Sequence, residues 1–96
     1  MKNKLIIIAQ IESKPEKLDF VKSELSKLLE PTRKEEGCIK YDLHQDNSNP
    51  NIFIFYEIWE NKNFLEKHLS SPHLTGYVKA TEDAISNFTI NEMSLI

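Results

Sequence analysis

The sequence predicts an α+β fold: a four-stranded antiparallel sheet with helices on one face, in the order β-α-β-β-α-β. Three observations predict it. Stretches that alternate or are dense in β-branched residues fall at 5–11, 38–46, 52–59 and 88–96. Between them lie two regions whose apolar residues recur at three- and four-residue spacing. Proline, glycine and asparagine clusters mark the junctions. This is the split βαβ order of ferredoxin-like domains, in which the first and third strands are central.

The first strand, Leu5 to Ile11, is apolar on both faces, with Ile6 and Ile8 opposite Ile7, Ala9 and Ile11. Its cationic approach and apolar run resemble a signal peptide, but the run is too short and stops at Gln10. Ser13 and Glu16 have capping-box spacing, and Leu18, Val21, Leu25 and Leu28 then form a helical stripe. Pro31 should kink that helix or end its regular part, and Gly37 should stop it. Ile39, Tyr41 and Leu43 alternate with Lys40, Asp42 and His44, as in a strand with one wet side near a sheet edge. The turn Asn47–Asn51 predicts a hairpin into Ile52–Trp59, again apolar on both faces, with Glu57 on the Phe53, Phe55 and Trp59 side.

Asn61 can cap a short helix carrying Phe64, Leu65, His68 and Leu69. Ser71 and Pro72 restart the chain as cap and first helical residue of a segment that buries Leu74, Tyr77 or Val78, Thr81 and Ile85. In the last strand, Phe88–Ile96, the apolar phase slips between Ile90 and Met93, which predicts a bulge there or a tail that leaves the sheet.

At 96 residues, residues 1–96 are expected to form one domain. The net charge of −3, with Arg33 the only arginine, argues against nucleic acid. No stretch approaches transmembrane length, so no membrane partner is expected. The single cysteine, Cys38, excludes an internal disulfide and suits a reducing cytoplasm. Helices cover only one face of such a sheet, yet both central strands are apolar on both faces. A homodimer packed through the sheet face is the expected remedy.

Lys14-Pro15, Thr32–Gly37, Tyr41-Asp-Leu43, the proline turn, Tyr56-Glu-Ile-Trp59 and His68–His73 follow one another along nearly the whole chain. Together they resemble the antibiotic biosynthesis monooxygenase domain, most closely its small quinol monooxygenases and autoinducer-2 phosphate isomerase relatives. The resemblance implies a dimeric α/β barrel with the two sheets packed together and a pocket between each sheet and its helices. In haem-degrading relatives an iron-ligating histidine falls roughly where Val78 stands, and their first-strand asparagine has no counterpart between Lys4 and Lys14. Haem is therefore not expected. With Gly37 and Gly76 the only glycines, neither is a dinucleotide loop, so no cofactor is expected.

The candidate catalytic residues are His68 and His73. His68 is either a boundary histidine bonded to backbone or a general base, since imidazole titrates near neutrality. His73, just after Pro72, either packs over the helix start or accepts a proton or polarises a carbonyl in the pocket. Glu57, costly to bury unpaired, is expected to pair with Arg33 or a histidine and to orient a ring. Tyr41 and Trp59 are core residues that could also wall a pocket and stack on an aromatic substrate. His68 and His73 straddle a helix break rather than sharing a face, so no metal site is expected. These residues fit a cofactor-independent monooxygenase acting on a small phenol or hydroquinone. The alternatives are an isomerase of a small hydroxyketone phosphate, with Arg33, Lys67 and the helix start at Ser71 holding the phosphate, and a non-catalytic dimeric ligand-binding module.

Overall fold

The computed structural model describes residues 3–96; Met1 and Lys2 of the expected domain lie outside the described residues. The strands are β1 (Leu5–Ser13), β2 (Cys38–Gln45), β3 (Ile52–Trp59) and β4 (Ile85–Met93). The α-helices are α1 (Leu18–Ser26), α2 (Leu29–Arg33), α3 (Lys62–Leu69) and α4 (Pro72–Thr81). The sheet is antiparallel, in the order β2-β3-β1-β4, which puts β1 and β3 in the centre and β2 at an edge, as their patterning predicts. Its helix-facing side supplies Ile7, Ala9 and Ile11 from β1 and Phe53, Phe55 and Trp59 from β3. These pack against Val21 and Leu25 of α1, Leu28, and Leu65 of α3. Among the described residues, no helix is long and apolar enough to cross a membrane.

Several local expectations need correction. Ser13 does not cap a helix. It remains in the β1 ladder opposite Ile85, its hydroxyl donates to the Lys14 carbonyl, and a 3₁₀ turn at Pro15–Lys17 intervenes. The long first helix does break as Pro31 predicts, at Lys27–Leu28, one turn upstream of it. A proline ring clashes with the carbonyl four residues earlier, here that of Lys27, while Pro31 itself is tolerated in the first turn of α2. Gly37 does take the left-handed conformation, at φ 84°, and a side chain there would run into Phe64.

In β2 the register shifts between Cys38 and Lys40, and Ile39 is exposed. That irregularity takes Ile39 out of the inward phase kept by Tyr41. β4 starts at Ile85 rather than Phe88, and Ile85 is not part of α4. Its irregularity lies where Asn87 and Ile85 pair with Glu12 and Ser13, not between Ile90 and Met93. The buried residue of α4 is Thr81; Leu74 and Tyr77 are half-buried and Val78 is exposed.

The hairpin and both downstream caps form as predicted. Asp46 accepts the Ser48 and Asn49 amides in the β2–β3 turn. Asn61 accepts from the amides of Asn63 and Phe64, and Ser71 accepts from that of Leu74. These two caps matter for function because they set the phase of α3 and α4, and with it the direction of each histidine.

Candidate functional site

Phe64, Leu65 and His68 share one face of α3 by three- and four-residue spacing, so the face that enters the core carries His68 with it. Only 2% of His68 is exposed. Its ring lies 4.9 Å from the Trp59 indole and 5.4 Å, edge-on, from the Tyr41 ring, which itself stacks on Phe55 at 4.6 Å. Ser71 and Pro72 start α4 immediately after α3 and place His73 in its first turn, with the two imidazole centroids 6.0 Å apart.

Between the rings stands a residue not singled out from the sequence. Glu35 Oε2 is 2.7 Å from His68 Nδ1 and 2.7 Å from His73 Nε2. Tight turns hold Glu35: its amide donates to the Thr32 carbonyl at 2.9 Å, and its carbonyl accepts from the Cys38 amide at 3.2 Å. An ionised carboxylate can only accept, so both nitrogens facing it carry protons. In neutral His68 the proton is then on Nδ1 and the lone pair is on Nε2. Burial lowers the His68 pKa, and the Glu35 hydrogen bond and charge oppose that fall without cancelling it. The ring is thus an unprotonated base at neutral pH.

A cavity of about 380 Å³ opens between the sheet and the helices. Ala9, Ile11, Phe55, Leu65 and Leu74 give it apolar walls; Tyr41, Glu57 and His68 bring polar groups to it. Glu35 and His73 are not on its wall, which leaves Nε2 as the His68 nitrogen available to the cavity. The sequence-predicted residues therefore separate. His68, Tyr41 and Glu57 meet at the cavity, Trp59 lies wholly buried against His68, and His73 holds Glu35 from the outer side.

Glu57 corrects a second expectation. It pairs with neither Arg33 nor a histidine. Its Oε1 accepts from Trp59 Nε1 at 2.9 Å, because residues two apart on a strand share a face. Arg33 instead donates to the Tyr41 carbonyl and to Asp42. Burial pushes the Glu57 carboxyl up to about 7, the Trp59 bond lowers it, and the charge of Glu35 raises it. Burial, with the charges of Glu35 and Glu57, pushes the Cys38 thiol up to about 11, so it is not a thiolate nucleophile at neutral pH. Burial likewise raises the Tyr41 phenol well above its ordinary range.

The helix break does not keep the histidines apart. One ligating atom each of Glu35, His68 and His73 lie within 4.8 Å of one another, and two imidazoles with a carboxylate form a set that a divalent transition metal accepts. The contacts themselves have hydrogen-bond geometry, with both nitrogens on one carboxylate oxygen.

The raised Glu57 carboxyl has a consequence for stability. Between the unfolded value of 4.5 and about 7, the native state keeps a proton that the unfolded chain loses, so Glu57 lowers stability as pH rises through that window. The shift corresponds to a loss of up to about 3 kcal/mol. Glu57→Gln is expected to gain more stability relative to wild type at pH 8 than at pH 4.5. Urea denaturation at the two pH values checks this, and a pH-independent difference would contradict the assignment.

The family model for antibiotic biosynthesis monooxygenase matches residues 4–80. The chain is 30% identical over 82 residues to "Putative monooxygenase YcnE" of Bacillus subtilis, covering 85% of this chain and 86% of that one. It is 28% identical over 96 residues to "Probable quinol monooxygenase YgiN" of Escherichia coli, covering 90% and 92%. It spans only 56% of the length of a Synechocystis protein, sll1783, to which it is 29% identical over 82 residues (85% of this chain). The crystal structure of PA3566 from Pseudomonas aeruginosa superposes with a TM-score of 0.95 at 31% identity, covering 100% of this chain and 97% of that one. By its sequence and by its fold, the chain belongs to the antibiotic biosynthesis monooxygenase family.

Proposed function

We propose that the protein is a cofactor-independent monooxygenase of small phenols or hydroquinones, with His68 as its general base. The observation that carries the reading is the orientation of His68. Glu35 holds Nδ1, and the unprotonated Nε2 is left to an apolar cavity. A hydroxyl placed against Nε2 loses its proton to the ring, and Glu35 stabilises the imidazolium that forms. The resulting phenolate is electron-rich and poorly solvated among Ala9, Ile11, Phe55 and Leu65, where it can reduce dioxygen. For a quinol the balance closes without another reductant. One oxygen atom enters the ring, the other leaves as water, and the four electrons come from oxidation of the quinol to a hydroxyquinone. Tyr41 packs beside the base, Trp59 backs it, and His73 acts through Glu35 as a positioning residue. That YcnE is named a monooxygenase and YgiN a quinol monooxygenase supports the reaction class of this reading.

The isomerase reading is less well supported. Among the described residues, no lysine or arginine lines the cavity to hold a phosphate, and Ser71 Oγ already accepts the Leu74 amide. A purely ligand-binding role does not account for an oriented base.

The same reading includes a homodimer through the sheet face. On the side of the sheet away from the helices, half-buried Ile8, Ile54 and Tyr56 lie beside buried Ile6 and Ile58, and exposed Met93 extends this apolar patch opposite Ile6. A second copy covers that patch with matching chemistry. Light scattering after size-exclusion chromatography should give a mass of two chains, and Ile54→Lys should give one; a wild-type monomer at tens of micromolar protein would rule the dimer out.

Oxygen consumption with a panel of hydroquinones tests the catalytic assignment. His68→Ala should lower the rate by about 10²–10⁴-fold. Glu35→Gln should lower kcat more than it changes KM, because the carboxylate acts on the base and not on the substrate. Equal rates in wild type and His68→Ala would remove His68 as the base.

A further inference from the structure

His68 is not the only ionisable group on the buried cavity wall. Glu57 is 4% exposed and sits in the middle of β3, opposite Ile7 on one side and Tyr41 on the other. Its one side-chain hydrogen bond among the described residues uses Oε1, which accepts from Trp59 Nε1. Oε2 has no hydrogen-bond partner among the described residues, yet it is not one of the sealed, unpartnered atoms, and Glu57 lines the cavity. Thus one carboxyl oxygen is held by the protein and the other is presented to whatever occupies the space. Among the described residues, no lysine or arginine on that wall neutralises it. An apolar residue would fill this core position at lower cost, because an unpaired buried carboxylate is expensive.

The same indole touches both His68 and Glu57. Trp59 lies 4.9 Å, centroid to centroid, from the His68 ring and donates to Glu57. The base and the carboxyl are therefore fixed relative to one another by a fully buried side chain.

We propose that Glu57 is the specificity-determining residue of the cavity: its Oε2 hydroxyl donates a hydrogen bond to a second oxygen of the aromatic ligand, while the first oxygen faces His68 Nε2. The cavity then selects arenes with two oxygen substituents over simple phenols. This rests on the aromatic-substrate reading above and narrows it from phenols at large to the quinol class. A carboxyl held neutral is a donor, whereas an ionised one can only accept and would repel the phenolate that His68 generates. Burial acts in the required direction by favouring the protonated acid.

The test is anaerobic isothermal titration calorimetry at pH 6 with phenol, 4-methoxyphenol and hydroquinone. 4-Methoxyphenol keeps a second oxygen that accepts but cannot donate. With Glu57 as donor, wild type binds 4-methoxyphenol and hydroquinone about tenfold more tightly than phenol. Glu57→Gln, whose amide still donates, keeps that preference, and Glu57→Leu abolishes it. Preference for hydroquinone alone would make Glu57 an acceptor and overturn the proposal. So would no preference, or no binding by any of the three at millimolar concentration. The wild-type ligand series decides the question should Glu57→Leu fail to fold. Because no oxygen is present, absent turnover sinks the monooxygenase assignment and leaves this result standing, and the converse also holds.

Discussion

The site depends on one carboxylate oxygen that receives hydrogen bonds from two imidazoles. Glu35 Oε2, 2.7 Å from His68 Nδ1 and from His73 Nε2, joins three parts of the chain: the turn before β2, the buried face of α3 and the first turn of α4. Without it, a histidine with 2% exposure would be a desolvated ring free to choose either tautomer. With it, the protonated nitrogen points to the outer side and the basic one to the cavity. Charge-assisted hydrogen bonds of this length are about twice as strong as neutral ones, and here they also order the junction of α3 and α4.

The fold places these groups by ordinary means. The antiparallel register of β2 on β3 pairs Cys38 with Trp59, so the residues just before β2 lie beside those just after β3. Gly37 makes that approach possible, with its carbonyl accepting the Glu60 amide at 2.9 Å and its missing side chain leaving room for Phe64. The Asn61 cap then sets the phase of α3, and the Ser71 cap with Pro72 sets that of α4. Central-strand burial does the rest. It leaves Glu57 with the Trp59 indole as its only side-chain partner among the described residues and holds its proton to higher pH.

Much of this was legible in the sequence. Strand order, the two central strands, the hairpin turn and the Asn61 and Ser71 caps follow from periodicity and turn residues. Glu35 was missed because a single acid in the run Lys34-Glu-Glu36 reads as solvated charge. The signal that could have found it was geometric: once β2 pairs with β3, the Glu35 turn must abut the start of α3. The partner of Glu57 was misjudged for a related reason. Opposite charge suggested Arg33, but Glu57 and Trp59 share a strand face two residues apart, and a buried indole N–H requires an acceptor. The misplaced irregularity in β4 reflects a phase slip read from apolar residues alone, where pairing with β1 decides the register.

Nitrogen-15 NMR of the histidine side chains tests the central claim most directly. At pH 7.5 His68 should be neutral, with its proton on Nδ1 and none on Nε2, and Glu35→Gln should perturb that tautomer. A His68 ring protonated on Nε2 in the wild-type protein would contradict it.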